Sequence, residues 1–453
     1  MLLSFRVSNF LSFNKEEEFS MLAGQVKSSA SHVTQLSSGS GSIDVVRSAL
    51  IYGANGSGKS NLIKAIDFAK NVTINGLINT PSHNQQFRLK KSAEHHLSKF
   101  EFEFKAGERI YSYGFELLLN SKKIAEEWLF EVKKTTDKAI FERKVEPNGN
   151  SVFSSKPPLK GKHSTRFDVY ANDLSEDQLL LSVLGSKKSE GFESFHDAYD
   201  WIDNSLVLIW PHSLYGEMHT VFQNENVKDA YCELLKYFKT DIMGFENHQI
   251  NADETLSRFS SKRRAKIEAD LVEAGTVSMQ LGGKKVLLKK DEDGKMIAEK
   301  IMTKHLGHHG EDAVSFEFED ESDGTRRLFD LIPILIGLNI KGVPPLTYIV
   351  DEIDRSLHPE LTRKFIEAFL SSTGQPFSQL VLTTHESSLL DLDLLRRDEI
   401  WFVEKSTDGA SHLYSLEEFK PRFDTEIRKA YLQGRYGAIP FISDTNQLGW
   451  SQN

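Results

Sequence analysis

An α/β fold is what this 453-residue sequence predicts: a P-loop core, a mixed β-sheet lobe and an inserted, mainly helical domain. Three observations carry that prediction. A short apolar run, Ala49 to Tyr52, leads into Gly53 to Ser60, which fits G-x-x-x-x-G-K-[ST], and then into the helical spacing of Leu62, Ile63 and Ile66. Far along the chain a second apolar run, Thr347 to Val350, ends in Asp351 and Glu352. Between them, from about Asp173 to Gln249, apolar residues fall three and four apart as on helices.

The elements follow in order. "SFRVSNFLSF" alternates apolar and polar residues as a strand does, and "SKFEFEFKAGERIYSYGFELLL" reads as a hairpin turning at Ala106-Gly107. "IAEEWLFEVKK" and "AIFERKVEPNG" continue the strand signals, and the turn-rich "SSKPPLKGKHS" reads as a surface loop. "SEDQLLLSVLG", "FESFHDAYDWIDNSLVLIW", "VKDAYCELLKYFK" and "ETLSRFSSKRRAKIEADLVEAG" carry helical spacing, without heptads long enough for a coiled-coil arm. "VSMQLGGKKVLLKKDEDGKMIAEKI" reads as strands around a Gly-Gly and an Asp-Gly turn. The expected division is residues 1–150 as an N-terminal lobe with the P-loop, 151–310 as a mainly helical insertion with a β-hairpin, and 311–453 as a C-terminal lobe.

A chain this long exceeds one ordinary core, so two or three structural units are expected. Charged residues at 26% and hydrophobic ones at 39% suit a soluble globular protein. The net charge of -10 argues against a mainly electrostatic nucleic-acid binder, although a local basic patch stays open. Cys232 stands alone, which excludes an internal disulfide framework and fits a reducing cytosol. "MLLSFRVSNFLSFNKEEEF" places Arg6 among alternating apolar residues and reads as a strand rather than a signal. "LFDLIPILIGLNI" is shorter than a membrane span and carries Asp330 and Pro333. A cytoplasmic location without membrane contact is the expectation.

The chemistry requires these residue types at these spacings. A loop whose backbone N–H groups point inward needs glycine where a side chain would block phosphates, and Gly53, Gly56 and Gly58 supply it among Asn55, Ser57 and Asn61. Lys59 brings charge to the β- and γ-phosphates of ATP, Ser60 offers its hydroxyl to Mg²⁺, and the helix aims its N-terminus at the anion. At the second strand end, Asp351 can hold Mg²⁺ through water and Glu352 can orient or deprotonate an attacking water. "QLVLTTHESSLL" ends a third apolar strand at His385, which can hydrogen-bond a γ-phosphate. Ser322 and Gly324, ahead of a helix beginning near Arg326, form a second phosphate cradle suited to a partner's nucleotide.

The order P-loop, S-D-G-T, D-E, "DRSLHP" and "TTHE" resembles the ABC-type ATPase head of the SMC and RecF class. AAA+ motors differ, since their acidic strand follows soon after the P-loop. "ESDGTRRL" departs from the transporter signature L-S-G-G-Q at its first, third and fifth positions and keeps the serine and second glycine, so exporter function is unsupported. "FRVSNFLSF", "YSYGFEL", "ESDGTRRL", "DEIDRSLHPEL", "TTHE" and "YLQGRYGAIP" together resemble the bacterial AAA-domain ATPases called RloA or abortive-infection ATPases. That resemblance implies heads dimerising around ATP and a separate effector, often a TOPRIM-like nuclease, as in the PARIS and Septu phage-defence systems. It also implies that Gln85 or Gln86, ahead of "FRL", is a Q-loop residue sensing Mg²⁺, with Gln86 taken as the metal-site residue.

Two functions stand against each other. One is an ATP-driven switch and scaffold that controls an effector. The other is a DNA-acting enzyme, either a RecF-like repair ATPase or a fused nuclease of the overcoming-lysogenization-defect type. The nuclease lacks support, because Asp391 and Asp393 form the single D-x-D after His385 and read as capping and surface charge. His305, His308 and His309 of "HLGHHG" read as a solvated loop rather than a zinc site, and "SSKRRAKIEAD" as an exposed helix face. "KAYLQGRYGAIPFI", Lys429 to Ile442, reads as a tail packed on its own head, with a subunit contact as the alternative.

Overall fold

The computed structural model describes residues 1–26, 29–38, 41–133, 136–187, 189–211, 225–257, 259–281, 284–291, 294–308, 312–340, 344–422 and 425–439. It has two compact units, Met1–Pro211 with Gly342–Asp354 and Ile366–Asn453, and His212–Lys341 with Arg355–Phe365. Residues 151–211 of the expected insertion therefore belong to the first unit.

In the first unit a seven-stranded antiparallel sheet runs in the order Ser151–Ser155, Lys138–Val145, Lys123–Glu131, Arg109–Leu118, Ser98–Ala106, Leu2–Ser8, Glu17–Ser20. Period-two alternation explains its faces: Phe100, Phe102 and Phe104 are buried, while Glu101 lies between them and bonds Arg6 across the sheet. Phe5 meets Phe102 at 4.8 Å between ring centroids.

The second sheet of this unit contains the strand ahead of Gly53, in the order Leu206–Ile209, Thr347–Val350, Gln379–Thr383, Ser48–Tyr52, Ile400–Lys405, Ser411–Ser415. Its first five strands are parallel and the last is antiparallel. Helix Lys59–Asn75 buries Leu62, Ile63, Ile66, Ala69 and Val72, and these join residues of both sheets in one apolar core. Gln379 ties the sheets together: its Oε1 accepts from Leu2 N at 2.6 Å and its Nε2 donates to Leu2 O at 2.9 Å.

One expectation is corrected here. "SLVLIW" sits in a stretch read as helical, yet Leu206–Ile209 is a strand paired in parallel with Thr347–Val350. A short continuous apolar run has no period of its own, so the neighbouring strand decides its conformation.

The second unit holds helices Glu225–Tyr237, Ala252–Ser257, Ser261–Ala274 and Asp323–Gly337. Its strands do not stop at a hairpin. Thr276–Leu281, Lys284–Lys290, Met296–His305, Ile242–Ile250 and Val314–Glu317 form a five-stranded antiparallel sheet. The strand Ile242–Ile250 is hidden in the sequence because "IMGFENHQI" alternates poorly and its partner lies roughly fifty to sixty residues away, from Ile242 opposite His305 to Ile250 opposite Ala298. Leu256, Ile267 and Leu271 pack on Val286, Leu288 and Ala298 to form this unit's core. Gly282 and Gly283 of the expected Gly-Gly turn lie outside the described residues. Among the described residues no helix is long and apolar enough to cross a membrane.

Candidate functional site

The wholly buried strand Ser48–Tyr52 lies between Gln379–Thr383 and Ile400–Lys405, so Gly53 emerges at the carboxyl end of the parallel sheet. Nothing larger fits there: a Cβ on Gly53 would collide with Val403 O and Ser57 Oγ. Asn55 and Gly56 are exposed at the loop's tip, with Gly56 at φ 76°. Gly58 has φ 118°, and a Cβ on it would collide with Ser411 Oγ and stand 2.8 Å from Ser12 Oγ. Two independent constraints thus demand glycine at 58. The helix begins at Lys59, with Asn61 N and Leu62 N donating to Gly58 O at 3.0 and 3.1 Å.

Three strand ends meet around Lys59. Its Nζ donates to Gly53 O at 2.7 Å and Ala54 O at 3.3 Å, and it stands 3.3 Å from His385 Nδ1. Ser60 Oγ donates to Asp351 Oδ1 at 3.2 Å, and Thr383 Oγ1 donates to the same oxygen at 2.5 Å. Thr383 Oγ1 also accepts from Glu352 N at 2.8 Å. Glu352 has φ 48°, an unusual left-handed conformation for a non-glycine residue and a form of backbone strain found at functional sites. His385 N donates to the Asp354 carboxylate at 3.3 and 3.4 Å.

Charge is tuned by burial. Lys59, 5% exposed, is pushed down to about 8 by desolvation, against the opposing pull of Asp351, Asp354 and Glu352. His385 is lowered from its ordinary value by burial first and by the Lys59 charge second, with Asp354, Glu352 and Asp351 opposing. At neutral pH the ammonium is a donor without acceptor capacity, so His385 Nδ1 accepts and the ring proton sits on Nε2. That leaves an N–H donor at the strand ends.

The donor set fits a hard divalent cation. Ser60 and Asp351 present oxygen ligands side by side. Of the two candidate glutamines, Gln86 is buried and its Oε1 has no hydrogen-bond partner among the described residues, while Gln85 is half-buried and uses its backbone oxygen to accept from Leu11 N at 2.6 Å. A buried, orphaned carboxamide oxygen is suited to a metal or its water. No described bond joins Gln86 to Ser60 or Asp351.

Ser322 and Gly324 lie in the second unit. Ser322 is exposed and caps helix Asp323–Gly337, its Oγ accepting from Thr325 N at 3.1 Å. A Cβ on Gly324 would come within 2.7 Å of Ser356 O, so the glycine permits close passage of the segment after the acidic strand.

Sequence reading missed the residues that brace the loop. Ser411 Oγ donates to Ser12 Oγ at 2.7 Å and contacts Ser57 O, and Asn61 Nδ2 donates to Ser12 Oγ at 2.8 Å. Neither serine carries a local signal. Thr383 and Asp354 were visible within "TTHE" and "DRSLHP" but had no role. Elsewhere, His305 bonds Glu321, and His309 lies outside the described residues. In the C-terminal segment Tyr431 and Tyr436 are buried against Phe402, Arg435 is exposed, and Pro440, Phe441 and Ile442 lie outside the described residues.

A P-loop backed by an acidic strand end defines a nucleotide-dependent ATPase domain, and the matching family model agrees. The AAA_21 family model, described as "AAA domain, putative AbiEii toxin, Type IV TA system", matches residues 48–391, and the chain belongs to this AAA-domain ATPase family. It is similar to the SMC head domain from Thermotoga maritima, at 12% identity over 91% of this chain and 98% of that one, with a TM-score of 0.36. It is also similar to an SMC head bound to the C-winged helix domain of ScpA, at 16% identity over 93% of this chain and 99% of that one, with a TM-score of 0.38. No curated protein matches.

Proposed function

We propose that this protein is the ATP-binding and ATP-hydrolysing switch subunit of a bacterial anti-phage, abortive-infection system, acting on a separate effector nuclease. The observation that carries the ATPase chemistry is the meeting of Lys59, Ser60, Asp351 and His385 at the ends of three adjacent strands. The family's description names a toxin of a toxin–antitoxin system, which supports the setting.

In this reading the P-loop N–H groups and Lys59 bind the β- and γ-phosphates. Ser60, Asp351 and Gln86 would hold Mg²⁺, which would neutralise phosphate charge. Glu352 orients the attacking water and takes its proton, while His385 Nε2–H donates to a γ-phosphate oxygen. Ser322 and Gly324 of a second copy close over the same nucleotide, so ATP assembles a head dimer and hydrolysis releases it. That shape change controls the effector.

Two inactive chains test the arrangement. Lys59→Ala and Ser322→Arg should each lack turnover, and mixing them should restore part of it, because one composite site then has both halves intact. Absence of turnover at every ratio at which mixed oligomers form would refute the trans cradle.

A further inference from the structure

Glu321 stands where the transporter signature has leucine, immediately before the cap Ser322. Its side chain is only 8% exposed, and its Oε1 lies 2.7 Å from His305 Nε2 and also contacts the Thr303 hydroxyl. Thr303 is fully buried. Both partners belong to Met296–His305, the strand at the middle of the second unit's sheet, and two residues apart they share one face.

The same strand reaches the other end of this loop. Lys300 Nζ pairs with Glu317 Oε1 at 2.8 Å. Between the two tethers, Glu317 and Asp320 close a capping box around the turn Phe318–Asp320, and Phe318 packs edge-on to Phe329 of the capped helix at 4.9 Å. The Ser322 Cα is therefore one peptide unit, about 3.8 Å, from the Cα of a residue whose carboxylate is fastened to the sheet.

We infer that Glu321 and His305 are positioning residues: the inserted sheet, through Glu321, sets where Ser322 and Gly324 stand. This rests on the reading that those two residues face a partner's nucleotide. A buried carboxylate that loses its donors is left with an unmet desolvation cost, so it turns toward water and carries the adjoining cap with it. Displacement of a positioning group by about 1 Å can cost on the order of 100-fold in rate. The P-loop, in the other unit, has no share in these bonds.

The test uses the full chain, with ATPase kinetics and ATP binding measured separately. Glu321→Leu keeps bulk but loses both bonds, and should lower kcat by roughly 10- to 100-fold while leaving the ATP Kd within about twofold. Glu321→Gln keeps the acceptor oxygen and should recover most of the loss. From the strand side, His305→Ala combined with Thr303→Val should reproduce the Glu321→Leu effect, and it decides the matter if Glu321→Leu does not fold. Wild-type kcat in folded Glu321→Leu, alongside inactive Ser322→Arg, would overturn this inference and leave the underlying reading intact. Active Ser322→Arg would instead overturn that reading. Equal loss of kcat and ATP affinity in both the Glu321 and strand-side variants would mean general damage, and would also overturn the positioning role.

Discussion

Raising the pH from 7 to 9 should weaken ATP binding through Lys59. The free protein holds this ammonium at about 8 because burial outweighs the pull of Asp351, Asp354 and Glu352. Bound phosphates favour the charged form and raise the value again. At pH 7 roughly nine-tenths of free molecules carry the charge, and at pH 9 roughly one-tenth, so affinity should fall on the order of tenfold, about 1.4 kcal/mol. His385 is lowered from its ordinary value, and it stays neutral throughout this window. Titration calorimetry in buffers of different ionisation heat should show proton uptake on binding that grows above pH 8. Without nucleotide the sign reverses. The unfolded chain, with lysine at its ordinary 10.5, binds more protons between about 8 and 10.5, so Lys59 makes stability rise with pH there. Lys59→Arg keeps its charge at all these values, so any affinity it retains should be flat. Equal wild-type affinity at pH 7 and 9, or the same slope in Lys59→Arg, would refute the reasoning.

Glu352→Gln should bind ATP as the wild type does, lose roughly 100- to 10,000-fold in turnover, and accumulate an ATP-dependent oligomer on size exclusion. Turnover near wild type would remove Glu352 from the water-activating role. Gly58→Ala should abolish ATP binding and lower stability by at least ~1 kcal/mol, since φ 118° and the Ser411 hydroxyl both oppose a side chain. Adding Ser411→Gly should restore only part, because the backbone strain remains. Tyr436→Ala should destabilise by ~3–5 kcal/mol and Arg435→Ala by no more than ~0.5 kcal/mol in thermal melts. Lost assembly with unchanged melting in Tyr436→Ala would favour an interface instead.

The sequence by itself determined the parts whose chemistry is local. Gly53 to Ser60, the Asp351-Glu352 strand end and His385 were legible because phosphate cradling and buried strand ends impose residue types on neighbouring positions. The capped helix behind Ser322 was legible for the same reason, though it begins at Asp323 rather than near Arg326. Tertiary structure decided what depends on distant partners. Leu206–Ile209 became a strand because Thr347–Val350 lies beside it. Gln86 rather than Gln85 turned inward, a choice between adjacent identical residues that only packing could make. Ser411 braces Ser12 and the P-loop across 399 residues, and Glu321 is fastened to His305 on a strand that no helical or turn signal connects to it. Such bonds leave no periodicity in the chain, since a hydrogen bond constrains where two groups meet in space and not how far apart they stand in sequence.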